Sequence, residues 1–286
     1  MSKRKIQSSS EEEEFTIDDF KNSASYFGEN EEKALNIIFS ETTDFTEIID
    51  FKYCNTDIDY NLKELLLNNF NKDSIIVYNS NKNKNLSKNQ KKFLNKLRDV
   101  LINNDPSAGD SNFEEYIDEL MKYIYDIADF DDGENLLMKP CNLRFNVEEY
   151  TFAAKADRMG MRGNEIIWVL CEDKHRKSKT YKKGEIQLVT SILSAFQENR
   201  NILDEIYPKK IIGIRVSADK VDFYSIKADE KYLNSLYSGL PIDNLYVHKY
   251  LNNNLYLSSP SGRYNVFKFL TYIKNYALSL EIKDIY

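Results

Sequence analysis

The pair Gly163-Asn164 constrains this chain more than any other feature, because it stands between two segments with strand character in the stretch KADRMGMRGNEIIWVLCEDKHR, residues 155–176. Glycine and asparagine tolerate positive φ and favour a two-residue turn between antiparallel strands. Such a turn pairs Arg162 with Glu165, and continued pairing sets Asp157 opposite Leu170. Opposed side chains share a face that repeats every second residue. Asp157, Leu170, Glu172 and Lys174 are therefore expected on one side of a single hairpin. A slip of one position would move Asp157 to the other face and make Asp173 its neighbour.

Two carboxylates and an amine in that arrangement suit metal-assisted hydrolysis of a phosphodiester. Paired carboxylates hold a hard cation such as Mg²⁺ or Mn²⁺ while leaving water in its other positions. The cation polarises phosphate and activates water, and Lys174 would stabilise charge or help position the nucleophile.

The pattern resembles the PD-(D/E)xK nuclease superfamily, whose restriction-endonuclease-like fold carries an acid on one strand and acid-x-Lys on the next. Here it reads Asp157, then Glu172-Asp173-Lys174, with Ala156 where a proline is often found. The resemblance implies an α/β fold, a mixed central β-sheet flanked by helices, and covers about the C-terminal two thirds of the chain. It also implies a Mg²⁺- or Mn²⁺-dependent nuclease with Asp157 and Glu172 on the metal. The helix expected at 184–197 carries Gln187, which matches a glutamine that some branches point back at the site; Ser191 stands where one large branch has tyrosine. Family members often add an acid from the first helix, for which Glu114 is the candidate metal ligand. The rival is a catalytically silent module of the same fold that binds nucleic acid or protein, with an effector-like or mobile-element-associated role resembling crinkler-type proteins.

Plainer readings stand beside each residue. Glu172, Asp173 and Lys174 also suit the solvated exit of a buried strand, Gln187 an exposed helix position, and Glu114 a first-turn acid favoured by the helix dipole.

The formal charge of −7 argues against a protein that coats nucleic acid without specificity. The region around the motif is nevertheless basic, with Lys155, Arg158 and Arg162 before it and Lys174, His175, Arg176, Lys177, Lys179, Lys182 and Lys183 after it. Arg158, Arg162, His175, Arg176 and Lys177 are the expected nucleic-acid contacts, with DNA favoured over RNA. Three scattered cysteines, Cys54, Cys141 and Cys171, and two histidines give neither a disulfide framework nor a zinc site. His248 has no nucleophile motif near it. The sequence has no apolar run of membrane-spanning length and no apolar leader, so an intracellular protein is expected, with Ser2 to Lys5 compatible with nuclear import.

Along the chain, residues 1–14 are polar and charged and read as a disordered leader. Residues 15–105 read as a mainly helical accessory region with helices at 60–70 and 86–103 and an isolated strand at 74–80. The turn formers of NDPSAGDSN, 104–112, mark the boundary to a nuclease-like domain at 106–286. There a helix is expected at 112–127, the sheet from 142, strands at 211–216, 220–226 and 245–249, and helices at 230–237 and 262–280.

Overall fold

The computed structural model describes residues 15–103, 113–173 and 181–283, with the backbone alone for Glu114, Cys141, Glu172, Asp173, Tyr181 and Lys182. The expected leader and the expected boundary at 104–112 lie outside the described residues. The fold is α/β, a mixed seven-stranded sheet with helices on both faces.

The N-terminal region supplies α1 (Glu29–Ala34), β1 (Ile37–Thr42), α2 (Tyr60–Glu64), α3 (Lys72–Ile76) and α4 (Lys88–Ile102). Residues 74–80, expected as a strand, instead begin inside α3 and leave it after Ile76 in a turn, because Asn71 Oδ1 accepts from the Ser74 amide at 3.0 Å and starts a helix there. Helix α4 starts on a reciprocal cap between Ser87 and Gln90 and buries Phe93, Leu94, Leu97 and Val100.

Next come α5 (Phe113–Ile127), β2 (Leu137–Val147), β3 (Tyr150–Arg162), β4 (Glu165–Asp173), α6 (Tyr181–Leu203) and β5 (Lys210–Ser217). The chain closes with β6 (Lys220–Lys227), α7 (Glu230–Leu236), β7 (Leu245–Tyr250) and α8 (Pro260–Ser279). Strand order is β1-β7-β6-β5-β4-β3-β2, with β1 parallel to β7, β4 parallel to β5 and the other neighbours antiparallel.

Each face of the sheet covers a core. Residues of α4, α5 and α8 pack with Trp168, Leu170, Ile214 and Val216 on one face; α6 and α7 pack with Val169, Cys171, Ile211 and Tyr224 on the other. Strand β4 contributes to both cores, which is why its sequence reads as a continuous apolar run instead of alternating.

The expected division near residue 105 does not describe the packing. Strand β1 pairs with β7 from Ile37↔Leu245 to Thr42↔Tyr250, Phe45 stacks on Phe269 of α8 at 3.7 Å, and Phe20 and Phe27 pack on Phe152 of β3. Residues 15–103 are part of the same sheet and the same two cores, because their apolar side chains complete those cores.

Candidate active site

The hairpin forms at the expected turn. Gly163 has φ of 60°, and among its described neighbours only this first central residue needs a positive value. Arg162↔Glu165 and Met161↔Ile166 pair as the sequence suggests, but the register then shifts, with Gly160 opposite Trp168 and Arg158 opposite Leu170. Ile167 is the inserted residue. Leu170 therefore faces Arg158, and the expected pairing with Asp157 is corrected, together with the shared face of Asp157, Leu170 and Glu172 that follows from that pairing.

Packing explains the bulge. The Trp168 indole lies over Gly160 so closely that a Cβ there would fall 1.9 Å from its Cε2, and the ring packs against Tyr125 and Phe130. Helix α6 satisfies the backbone beside the inserted residue: Ile166 N–H donates to Asn199 Oδ1 at 2.8 Å and Asn199 Nδ2 donates to Ile166 O at 2.8 Å.

A second irregularity falls on Asp157 itself. In the β2–β3 ladder Arg158 pairs with Pro140 and Ala156 with Cys141, which leaves Asp157 as the extra residue of β3. Pro140 has no N–H to contribute to the ladder. The pairing of β3 with β4 ends at Arg158↔Leu170 among the described residues. Asp157, which is exposed, thus stands where β3 leaves regular pairing on both sides, the kind of break that re-aims a side chain.

The other acid is placed by its backbone. Glu172 pairs in register with Val216 and Asp173 with Ser217 of β5, so β4 continues along β5 past the last β3 pair. Lys174, His175, Arg176 and Lys177 lie outside the described residues. Glu114 occupies the first turn of α5, one turn ahead of Asp118, and Asp118 joins α5 to β3 through Arg158.

Three residues expected at the substrate have bonds within the protein. Arg158 donates to Asp118 Oδ1 from Nε at 2.7 Å and from Nη2 at 2.5 Å. Arg162 Nη1 donates to Ala277 O at 2.9 Å, near the last turn of α8, where a cation also meets the favourable end of the helix dipole. Gln187 Nε2 donates to Lys155 O at 2.7 Å, two residues before Asp157. Gln187 is one of three α6 amides bonded to the sheet backbone, with Asn199 on Ile166 and Gln197 on Asn146.

Burial pushes the Cys54 thiol up to about 11, so it holds little thiolate at neutral pH; Cys171 is buried in β4. His248 lies in β7 with Nδ1 3.6 Å from Glu47 Oε2. Among the described residues, no group of three or more His, Cys, Asp or Glu side chains could hold a metal ion.

The sequence reading missed a cluster of buried charge beside the hairpin. Glu185 of α6 meets Tyr224, Lys249 and Arg215 from three strands. Only Arg215, a lone cation inside the apolar run KIIGIRVS, signalled it in the sequence.

No family model matches the chain, and a comparison with curated proteins finds no match. Among the described residues, no helix is long and apolar enough to cross a membrane.

Proposed function

We propose that this protein is a metal-dependent nuclease-like hydrolase of phosphodiester bonds, acting at the break in the β3–β4 hairpin. The observation that carries the reading is Asp157, an exposed carboxylate set out of the ladder on the strand next to the one that bears Glu172. The element order α5, β2, β3, β4, α6, β5, with β4 and β5 parallel, adds support. It follows the helix, strands, hairpin, helix, strand order expected from the sequence pattern.

Asp157 and Glu172 offer hard carboxylate oxygens, the donor type that Mg²⁺ and Mn²⁺ prefer, and they would hold the ion. When bound, the cation supplies Lewis-acid activation of phosphate and water. Lys174 would stabilise charge developing on the phosphate or orient the water that attacks phosphorus, and the bridging P–O bond to the leaving strand breaks. Gln187 would position β3 through the Lys155 carbonyl. The exposed Lys155 and Lys183 side chains would face the phosphates.

The test is incubation of purified protein with circular DNA, linear DNA and RNA, each with Mg²⁺, Mn²⁺ or EDTA. Cleavage of a circle that EDTA abolishes is expected for a metal-dependent endonuclease. Cleavage indifferent to EDTA would remove the metal mechanism.

The second reading, a silent module of the same fold that binds nucleic acid or protein, draws on the internal bonds of Arg158 and Gln187, which serve structure without any substrate. Salt-dependent binding to nucleic acid with no cleavage under any cation would favour it.

A further inference from the structure

Glu185 and Gln187 are two positions apart on α6, about 200° around a helix of 3.6 residues per turn, and they reach to opposite sides of β4. Tyr224 Oη donates to Glu185 Oε1 at 2.8 Å, Lys249 Nζ lies 2.8 Å from the same oxygen, and Arg215 Nη1 lies 4.0 Å from it. Those partners belong to β6, β7 and β5. Gln187 bonds β3 at Lys155 O. In the sheet, β4 runs between β5 and β3, so these two side chains bracket the strand that carries Glu172. Cys171, the residue before it, pairs in register with Arg215.

The bracket is costly in solvation terms. Glu185 retains 7% of its exposure and Arg215 1%, and removing an ion from water carries a large desolvation penalty. Apolar residues of similar volume would suit a site packed beside Ile186 and Val189 at least as well. The charges also compensate one another: Lys249 lies 3.9 Å from Glu41, and Lys220 pairs at 2.7 Å with Asp222, the β6 partner of Arg215. The cluster is therefore directed at holding its own elements together.

We infer that Glu185 is a positioning residue for the candidate site. Acting with Gln187, it fixes the second turn of α6 over β4 and so sets the spacing between Asp157 on β3 and Glu172 on β4. The inference rests on the nuclease reading for its catalytic consequence; the mechanical link itself does not.

The experiment compares the full chain with Glu185→Gln and with the double variant Glu185→Gln/Lys249→Gln, which removes one charge of each sign and guards against failure to fold. Steady-state cleavage with Mg²⁺, thermal melting and backbone hydrogen exchange are measured on each. A fall in kcat of about tenfold or more with KM nearly unchanged is expected, towards the roughly hundredfold that a 1 Å misplacement of catalytic groups can cost. Exchange should quicken at 155–158 and 171–173 while α8 keeps its protection. Wild-type kcat in the double variant would overturn the proposal, as would loss of activity accompanied by faster exchange throughout. If the wild-type protein cleaves nothing, the nuclease reading fails and exchange alone decides the link: local quickening upholds it and an unchanged pattern refutes it.

Discussion

Asp118 on α5 grips Arg158 on β3 through one carboxylate oxygen, with Nε at 2.7 Å and Nη2 at 2.5 Å, and so anchors the residue next to Asp157 to the helix that carries Glu114. The pair is part-exposed, with side-chain exposures of 38% for Asp118 and 17% for Arg158, so its contribution belongs near the surface range of about 1 kcal/mol. A double-mutant cycle with Asp118→Asn and Arg158→Met, followed by urea unfolding, should give a coupling of roughly 0.5–1.5 kcal/mol. A coupling of zero would mean that the bond does not hold α5 to β3.

Gly160 is fixed by its partner. Because a Cβ at 160 would meet the Trp168 ring at 1.9 Å, Gly160→Ala should destabilise the fold by about 3 kcal/mol, the upper part of the overpacking range. Trp168 is the sole tryptophan and is buried, so its emission reports unfolding directly. Adding Trp168→Leu should recover part of the loss, read by circular dichroism; simple additivity of the two costs would refute the clash.

Metal linkage separates a site from a surface cluster. An ion that binds only the folded state stabilises by RT ln(1 + [L]/Kd), about 2.7 kcal/mol at a hundredfold excess over Kd. Melts with and without Mn²⁺ should show a rise in Tm for wild type that is lost in Asp157→Ala and in Glu172→Ala. Lys174→Ala should retain the rise while losing most cleavage. Equal metal effects on all four proteins would contradict the assignment.

Asp132 gives the acid limb. Its carboxylate accepts from the amides of Leu136, Glu134 and Asn135, which draw its pKa from 3.8 down to about 2. Since the folded value lies below the unfolded one, the stabilisation is complete above about pH 4 and is lost as the pH falls towards 2. Asp132→Asn keeps an acceptor without the charge, so its urea midpoint should fall less than that of wild type between pH 4.5 and 2.5. Parallel curves would show that this carboxylate contributes nothing to acid sensitivity.

The parts of the fold that could be read from sequence are those with a phase. Helices α5, α6 and α8 announce themselves by apolar stripes such as Ile186, Val189, Leu193 and Phe196, all buried, and the Gly163 turn is marked by residue type. The bulge at Ile167 left no such mark, because a strand buried on both faces has no alternation from which a slip could be noticed. The same absence of phase misplaced Asp157 against Leu170. Residues 74–80 misled for the opposite reason: the β-branched run Ile75 to Val77 suggests a strand, while the Asn71 cap decides for a helix. Glu185 looked like an ordinary helix acid, since its partners Tyr224 and Lys249 come from strands far along the chain.

The placement of β1 has a consequence for synthesis. Its partner across the ladder from Ile37 is Leu245, and a ribosome adding roughly 5–20 residues per second needs on the order of ten seconds or more to travel between them. Throughout that interval an apolar segment with two unpaired edges is exposed, a state prone to pairing with the wrong chain. A strand made more than two hundred residues before its partner is among the last to find its place.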